Sequence, residues 1–250
     1  MAYEKDNSKI LSETALHCQN NDYKIIHGII VDTIEKLKLE SSTIGVVSAG
    51  FSVFIKEPYL PDLSVAPQGR APAVATGIKR VRPNCVVFTC QEDGDLASSG
   101  LSEIIHAANR GENITAIFIN HATYSTADDQ IPLGESPDEK PRLLTCSFGA
   151  ADAANPPKIP EILATLDKPV YITRVALNIE DNVEQAKKAI YNAFKLQSEN
   201  KGFSFVEVIS PRAANDNDAI IEEQLQEYHK KVLEKFPVKT FKDTYNVDKP

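Results

Sequence analysis

Two polar groups stand where two apolar runs end. Gln91-Glu-Asp-Gly-Asp95 follows Cys85-Val-Val-Phe-Thr-Cys90, and Asn120-His121 follows Ile114-Thr-Ala-Ile-Phe-Ile119. Carboxylate and amide oxygens suit a hard divalent cation, whereas an imidazole suits a transition metal. Glu92, Asp93, Asp95, His121, Asp128 and Asp129 together form a set able to attract a cation or a basic ligand.

The elements around these groups read as a βαβ unit. β-branched and aromatic runs predict strands over 85–89 and 114–119, and the intervening periodicity predicts a helix over 98–109. In open parallel sheets, ligands bind at the carboxyl ends of adjacent strands, which is where both polar groups fall.

The rest of the chain repeats the alternation. The polar N-terminal segment, to about Asn20, reads as an extended arm. Ile26, Ile29, Ile30, Ile34 and Leu37 recur at helical steps, which predicts an amphipathic helix from Tyr23 to about Leu39. Thr43–Val47 reads as a strand, and 52–66, with Pro58 and Pro61, as mostly loop. The small-residue run 69–81 predicts a helix with Pro72 in its first turn, ended by Arg82-Pro83. Residues 122–157 form a long segment without periodicity, a feature associated with function or an interface. A short helix at 159–166, a strand at 169–177, a helix at 182–196, a strand at 203–209 and a charged helix at about 218–236 complete the reading. The expected fold is α/β: one doubly wound parallel sheet with helices on both faces. It forms one domain over 1–250, with an N-terminal arm and a C-terminal helical tail.

With 250 residues and 42% hydrophobic content, the chain can bury a sizeable core. Its net charge of -8 argues against nucleic acid and anionic membranes. No apolar stretch is long enough to cross a bilayer, and the N-terminus lacks a signal pattern. The expected location is the cytoplasm. Cys18, Cys85, Cys90 and Cys146 contain no C-x-x-C pair, so the spacing encodes neither a zinc ribbon nor a dithiol motif.

Three segments carry a resemblance: the run from Gly69 to Pro83, Asp93-Gly-Asp95, and the run from Glu103 to Thr115. They resemble the thiamine diphosphate-binding β subunit of 2-oxoacid:ferredoxin oxidoreductases, most nearly the 2-oxoisovalerate group. Gly202–Pro211 and Phe236–Asp243 extend the resemblance over nearly the whole chain. It implies oxidative decarboxylation of a branched-chain 2-oxoacid to an acyl-CoA, with thiamine diphosphate, Mg²⁺ and a [4Fe–4S] cluster. It also implies an α-type partner, with a γ-type one as a further candidate, and ferredoxin as electron acceptor. The implied cofactor positions are Gln68, Gly69, Arg70, Glu92, Asp93, Gly94, Asp95, Asn120 and Tyr124. The implied metal positions are Asp93, His121 and Thr123, and Cys18 is the implied cluster position. No residue is assigned a catalytic role.

This chain departs from the pattern at those same positions. Of the four cluster thiolates only Cys18 remains, with Asn21, Phe51 and Arg212 at the others. One thiolate in four cannot hold a cluster in that arrangement. Tyr23 stands where the family has histidine, and His121 where it has the second asparagine of a pair. Glu92 replaces a glycine, and Gln68 a histidine. The glycine-rich diphosphate loop is Ser125-Thr-Ala-Asp-Asp-Gln130. Its two carboxylates would repel a diphosphate, each like-charge pair at about 5 Å costing roughly 3 kcal/mol at an effective dielectric near 20. Three readings follow: the enzyme subunit, a non-catalytic paralogue that keeps fold and partner surface, and a binding module for a cation or basic ligand.

Overall fold

The computed structural model of the chain describes residues 21–48, 62–121, 157–177, 180–210 and 230–248. Seven strands form one sheet: β1 (Thr43–Ser48), β2 (Asp62–Ala66), β3 (Val86–Glu92), β4 (Thr115–Asn120), β5 (Tyr171–Ala176), β6 (Ser204–Ile209) and β7 (Lys239–Asp243). Their order across the sheet is β2-β1-β3-β4-β6-β5-β7. β1 to β6 pair in parallel. Strands covered on both faces need continuous apolar character, and every residue of β4, β5 and β6 is buried.

Helices cover both faces. On one, α1 (Asn21–Leu37) and α5 (Glu180–Ser198) pack on Val86, Phe88, Cys90, Ile117, Ile119, Val206 and Val208. The apolar residues of α5 recur at helical steps (Val183, Ala186, Ala189, Ile190, Ala193, Phe194), so one side of the helix is dry. Phe194 tilts against Phe88 with ring centroids 5.4 Å apart. On the other face lie α2 (Ala71–Val81), α3 (Leu101–Arg110) and α4 (Ile159–Ala164). Ala71 and Ala75 of α2 have no exposed surface, and small side chains at these positions let the helix lie close to the sheet. Pro72 sits in the first turn of α2, and Arg82 ends the helix. The doubly wound α/β fold is therefore present as expected.

Beyond shifts of one or two residues at element ends, four features differ from the sequence reading. The region read as loop ends in β2, whose Asp-Leu-Ser-Val-Ala sequence is half polar because the strand lies on the sheet edge. The sheet is not wholly parallel, since β7 runs antiparallel to β5. Its five residues are exposed or half-buried and carry no strand-like apolar run. β3 continues through Gln91 to Glu92, past the expected end at 89. Residues 93–99 then form a wide helical turn, in which the Gly100 amide reaches Asp95 O at 2.9 Å. α3 consequently begins at Leu101 rather than 98, and it ends at Gly111 in a left-handed conformation (φ 67°). Of the charged helix expected over 218–236, residues 230–236 are described, and 230–235 are helical.

Candidate functional site

The carboxyl ends of β1, β3, β4 and β6 bring a set of buried polar side chains together. Asp93 and Asp95 are 3% and 5% exposed, and Gln91, Asn120, His121 and Glu207 no more than 2%. Burying so many polar groups is unfavourable unless each finds a partner.

Asp95 is the centre of the first cluster. It accepts hydrogen bonds from Gln91 Nε2 at 2.8 Å, from the Gly69 backbone amide and from Ser48 at the end of β1. Burial pushes its carboxyl above the usual carboxylate range, and the three donors partly offset that shift. Asp95 thus joins β1, β3 and the turn before α2. Gln68 adds a second link, from its Nε2 to Gly94 O at 3.0 Å. The groups at 68–70 and 92–95 are therefore one cluster in space.

Gly69 is required at its position. Its φ is +77°, and a Cβ there would lie 2.6 Å from Ser99 C and 2.7 Å from Ser99 O. Only glycine combines that backbone angle with so close an approach of two chains. Arg70 forms an ion pair with Glu103 of α3. Asp93 Oδ1 accepts from the Gly94 amide at 3.2 Å.

The second cluster centres on His121. Its Nδ1 lies 2.8 Å from Ser210 O, and its Nε2 lies 3.0 Å from Tyr23 Oη. A carbonyl only accepts, so Nδ1 carries the proton; in that Nδ1–H tautomer Nε2 accepts from the tyrosine hydroxyl. The two rings also meet edge to face, 5.6 Å between centroids at 73°. His121 thereby ties α1 to the ends of β4 and β6.

The third cluster was not anticipated. Asn120 donates through Nδ2 to Glu207 Oε1 at 2.7 Å. The other Glu207 oxygen accepts from Arg174 Nε, and both side chains are fully buried. Arg174 grips Glu161 of α4 with two nitrogens, at 2.7 and 2.9 Å. Its guanidinium lies over Phe236 at 5.3 Å and Phe241 at 5.0 Å, a cation–π sandwich. A signal for this cluster was present: Arg174 and Glu207 are lone charges inside apolar strands, and a charge so placed requires a partner.

Cys90 is buried in β3, and Cys85 is half-buried. Burial pushes the Cys90 thiol far up, and Glu92 and Asp95 push it further. Cys18, Thr123, Tyr124, Asp128 and Asp129 lie outside the described residues. Among those described, no three His, Cys, Asp or Glu side chains are placed to hold a metal together. None of the described helices is long and apolar enough to cross a membrane.

Comparison with known proteins identifies the family. The profile of the C-terminal TPP-binding domain of thiamine pyrophosphate enzymes matches residues 46–208, and the chain belongs to that family. It is 36% identical over 247 residues to the ketoisovalerate oxidoreductase subunit VorA of Methanothermobacter marburgensis, covering 95% of this chain and 50% of that one. It is 30% identical to the 2-oxoglutarate synthase subunit KorB of the same organism, covering 74% of this chain and 62% of that one. The chain spans about half the length of the VorA relatives. Among solved structures it resembles a 2-oxoglutarate:ferredoxin oxidoreductase from Magnetococcus marinus, with a TM-score of 0.58 and 20% identity, covering 88% of this chain and 79% of that one. That likeness concerns the fold. The resemblance read from the sequence and these comparisons agree.

Proposed function

We propose that this chain is the β-type subunit of a 2-oxoacid:ferredoxin oxidoreductase assembly whose substrate is a branched-chain 2-oxoacid. The observation that carries this reading is the Asp95 cluster. It draws 68–70 and 92–95, two separate segments of the resemblance, together around the buried Gly69 and Asp95 at the carboxyl edge, where α/β sheets bind ligands. The names of the VorA relatives support the branched-chain substrate class. In this reading Gln68, Gly69, Arg70, Glu92, Asp93, Gly94, Asp95, Asn120 and Tyr124 form the cofactor side, with Asp93 and Thr123 as oxygen donors toward Mg²⁺. Thiamine diphosphate would supply the carbanion chemistry. With Cys18 alone, the subunit itself carries no [4Fe–4S] cluster. Electrons would leave through an α- or γ-type partner to ferredoxin, in the cytoplasm.

One observation favours a second reading, in which this subunit is non-catalytic and serves the assembly as a scaffold. His121 stands where the resemblance places a metal-binding amide, and both of its ring nitrogens are committed to protein partners.

Purification of the tagged chain from its native source tests the first reading. A stable complex with a chain related to the unmatched half of VorA is expected. Reduction of a viologen dye by that complex, with a branched 2-oxoacid and coenzyme A, selects a working thiamine site in this subunit. A chain that purifies alone contradicts subunit function. A stable complex without dye reduction selects the scaffold reading.

A further inference from the structure

We infer that Tyr23 and His121 form a latch that closes the divalent-cation position at the carboxyl end of β4, so that the described site does not take Mg²⁺ there. The inference deepens the scaffold reading and rests on the family's motif positions.

Three observations carry it. The first is chemical. A metal bound at β4 through His121 needs a ring nitrogen with an available lone pair. Nδ1 donates its proton to Ser210 O at 2.8 Å, and the Nε2 lone pair accepts from Tyr23 Oη at 3.0 Å. A protonated ring would offer no lone pair either. The second is steric. His121 is 2% exposed and Tyr23 is 6% exposed, and their rings are in edge-to-face contact. Turning Nε2 toward a metal would break the tyrosine contact and the carbonyl bond together. The third is the donor set. Mg²⁺ takes oxygen ligands in octahedral geometry. Among the described residues no three His, Cys, Asp or Glu side chains are placed to hold a metal together, and the imidazole at 121 offers nitrogen where Mg²⁺ prefers oxygen.

Two departures from the family pattern, at 23 and at 121, are thus one feature in space. Tyr23 lies 98 positions before His121 in the chain, and neither change has an evident partner in the sequence. In the fold each satisfies the other. The hydroxyl supplies the proton that the buried imidazole nitrogen accepts. The pair converts a ligand position into a tie between α1 and the sheet.

The test follows the imidazole nitrogens of the full-length protein by ¹⁵N magnetic resonance, with His121 assigned from the signals lost in H121N. The expected spectrum shows a single Nδ1–H tautomer. Mn²⁺ with thiamine diphosphate, added to millimolar excess, should leave the His121 signals in place. Paramagnetic loss of those signals on Mn²⁺ addition would overturn the inference, because the metal would then sit beside the ring. Y23F, which removes only the hydroxyl, should lower the melting temperature by about 2–4 °C. In an H121F background the same change should cost almost nothing. Equal losses in both backgrounds would also overturn it. None of these readouts depends on a partner subunit, so failure of the latch and failure of subunit function are told apart.

Discussion

Gln91 donates to Asp95 from four residues away, at 2.8 Å, while its own Oε1 is buried without a partner. One amide therefore serves the carboxylate with one end and holds an unsatisfied acceptor at the other. An orphan acceptor in the interior costs about 1–3 kcal/mol. The arrangement persists because Asp95 gathers three donors from three segments.

Replacing Asp95 should separate its charge from its hydrogen bonds. Asp95→Ala leaves the Gln91, Gly69 and Ser48 donors without their acceptor and should cost about 3 kcal/mol in chemical denaturation. Asp95→Asn should cost under about 1 kcal/mol at neutral pH. Its amide oxygen can accept from Gly69, and Gln91 can rotate its amide so that the orphan Oε1 accepts from the new NH₂.

The same pair of proteins yields a pH dependence. The folded carboxyl of Asp95 lies above its unfolded value because burial disfavours the charge. A raised acid favours the folded state while it is protonated. That contribution is fully present below the unfolded pKa and is lost as pH rises through the folded value. Asp95→Asn should therefore gain stability relative to the natural chain as pH is raised from the acid range toward neutrality. Denaturation midpoints of both proteins at several pH values measure the gap.

Gly69→Ala should be among the most damaging single-methyl additions. The backbone angle of +77° is unfavourable for alanine, and the new methyl would meet the Ser99 carbonyl at under 3 Å. A loss of about 2–4 kcal/mol is expected, with proteolytic cutting in 93–100 as the local sign.

The Arg174–Glu207 pair should be costly to break and inexpensive to replace. Glu207→Leu leaves the buried guanidinium to Glu161 and the Pro237 carbonyl, and a loss of about 3–5 kcal/mol is expected. Arg174→Met combined with Glu207→Leu should recover much of that loss, because the buried charge is then gone. Equal destabilisation of the single and double variants would show that packing, and not charge, sets the cost.

Cys90 and Cys85 should react differently. Burial raises the Cys90 thiol and removes it from solvent, so iodoacetamide should not modify it in the folded protein. Half-buried Cys85 should be modified slowly, and mass spectrometry after digestion distinguishes the two.

Much of the fold was legible because its signals are local and strong. The β-branched runs at 85–89, 114–119 and 203–209 and the helical steps in α1 and α5 follow directly from burial on one or both faces. β2 and β7 were not legible because edge strands need no continuous apolar run, and pairing with a neighbour decides them. The wide turn at 93–99 was hidden for a different reason. Its Asp-Gly-Asp sequence reads as a turn, and the backbone bond from Gly100 to Asp95 leaves no mark in residue types. In the site, the chemical groups were visible and their partners were not. The sequence offers His121 as a ligand, and only tertiary structure places Tyr23 and Ser210 on its two nitrogens. Likewise Arg70 is an implied cofactor position, and its ion pair with Glu103 leaves no mark in the sequence.

Calorimetric titration of the purified, folded protein with thiamine diphosphate and Mg²⁺ tests the closure of this site most directly. A flat titration at several hundred micromolar protein, unchanged when the partner subunit is present, is the predicted result. One saturable site with thermal stabilisation of the chain would contradict it, and would return this subunit to the working enzymes of its family.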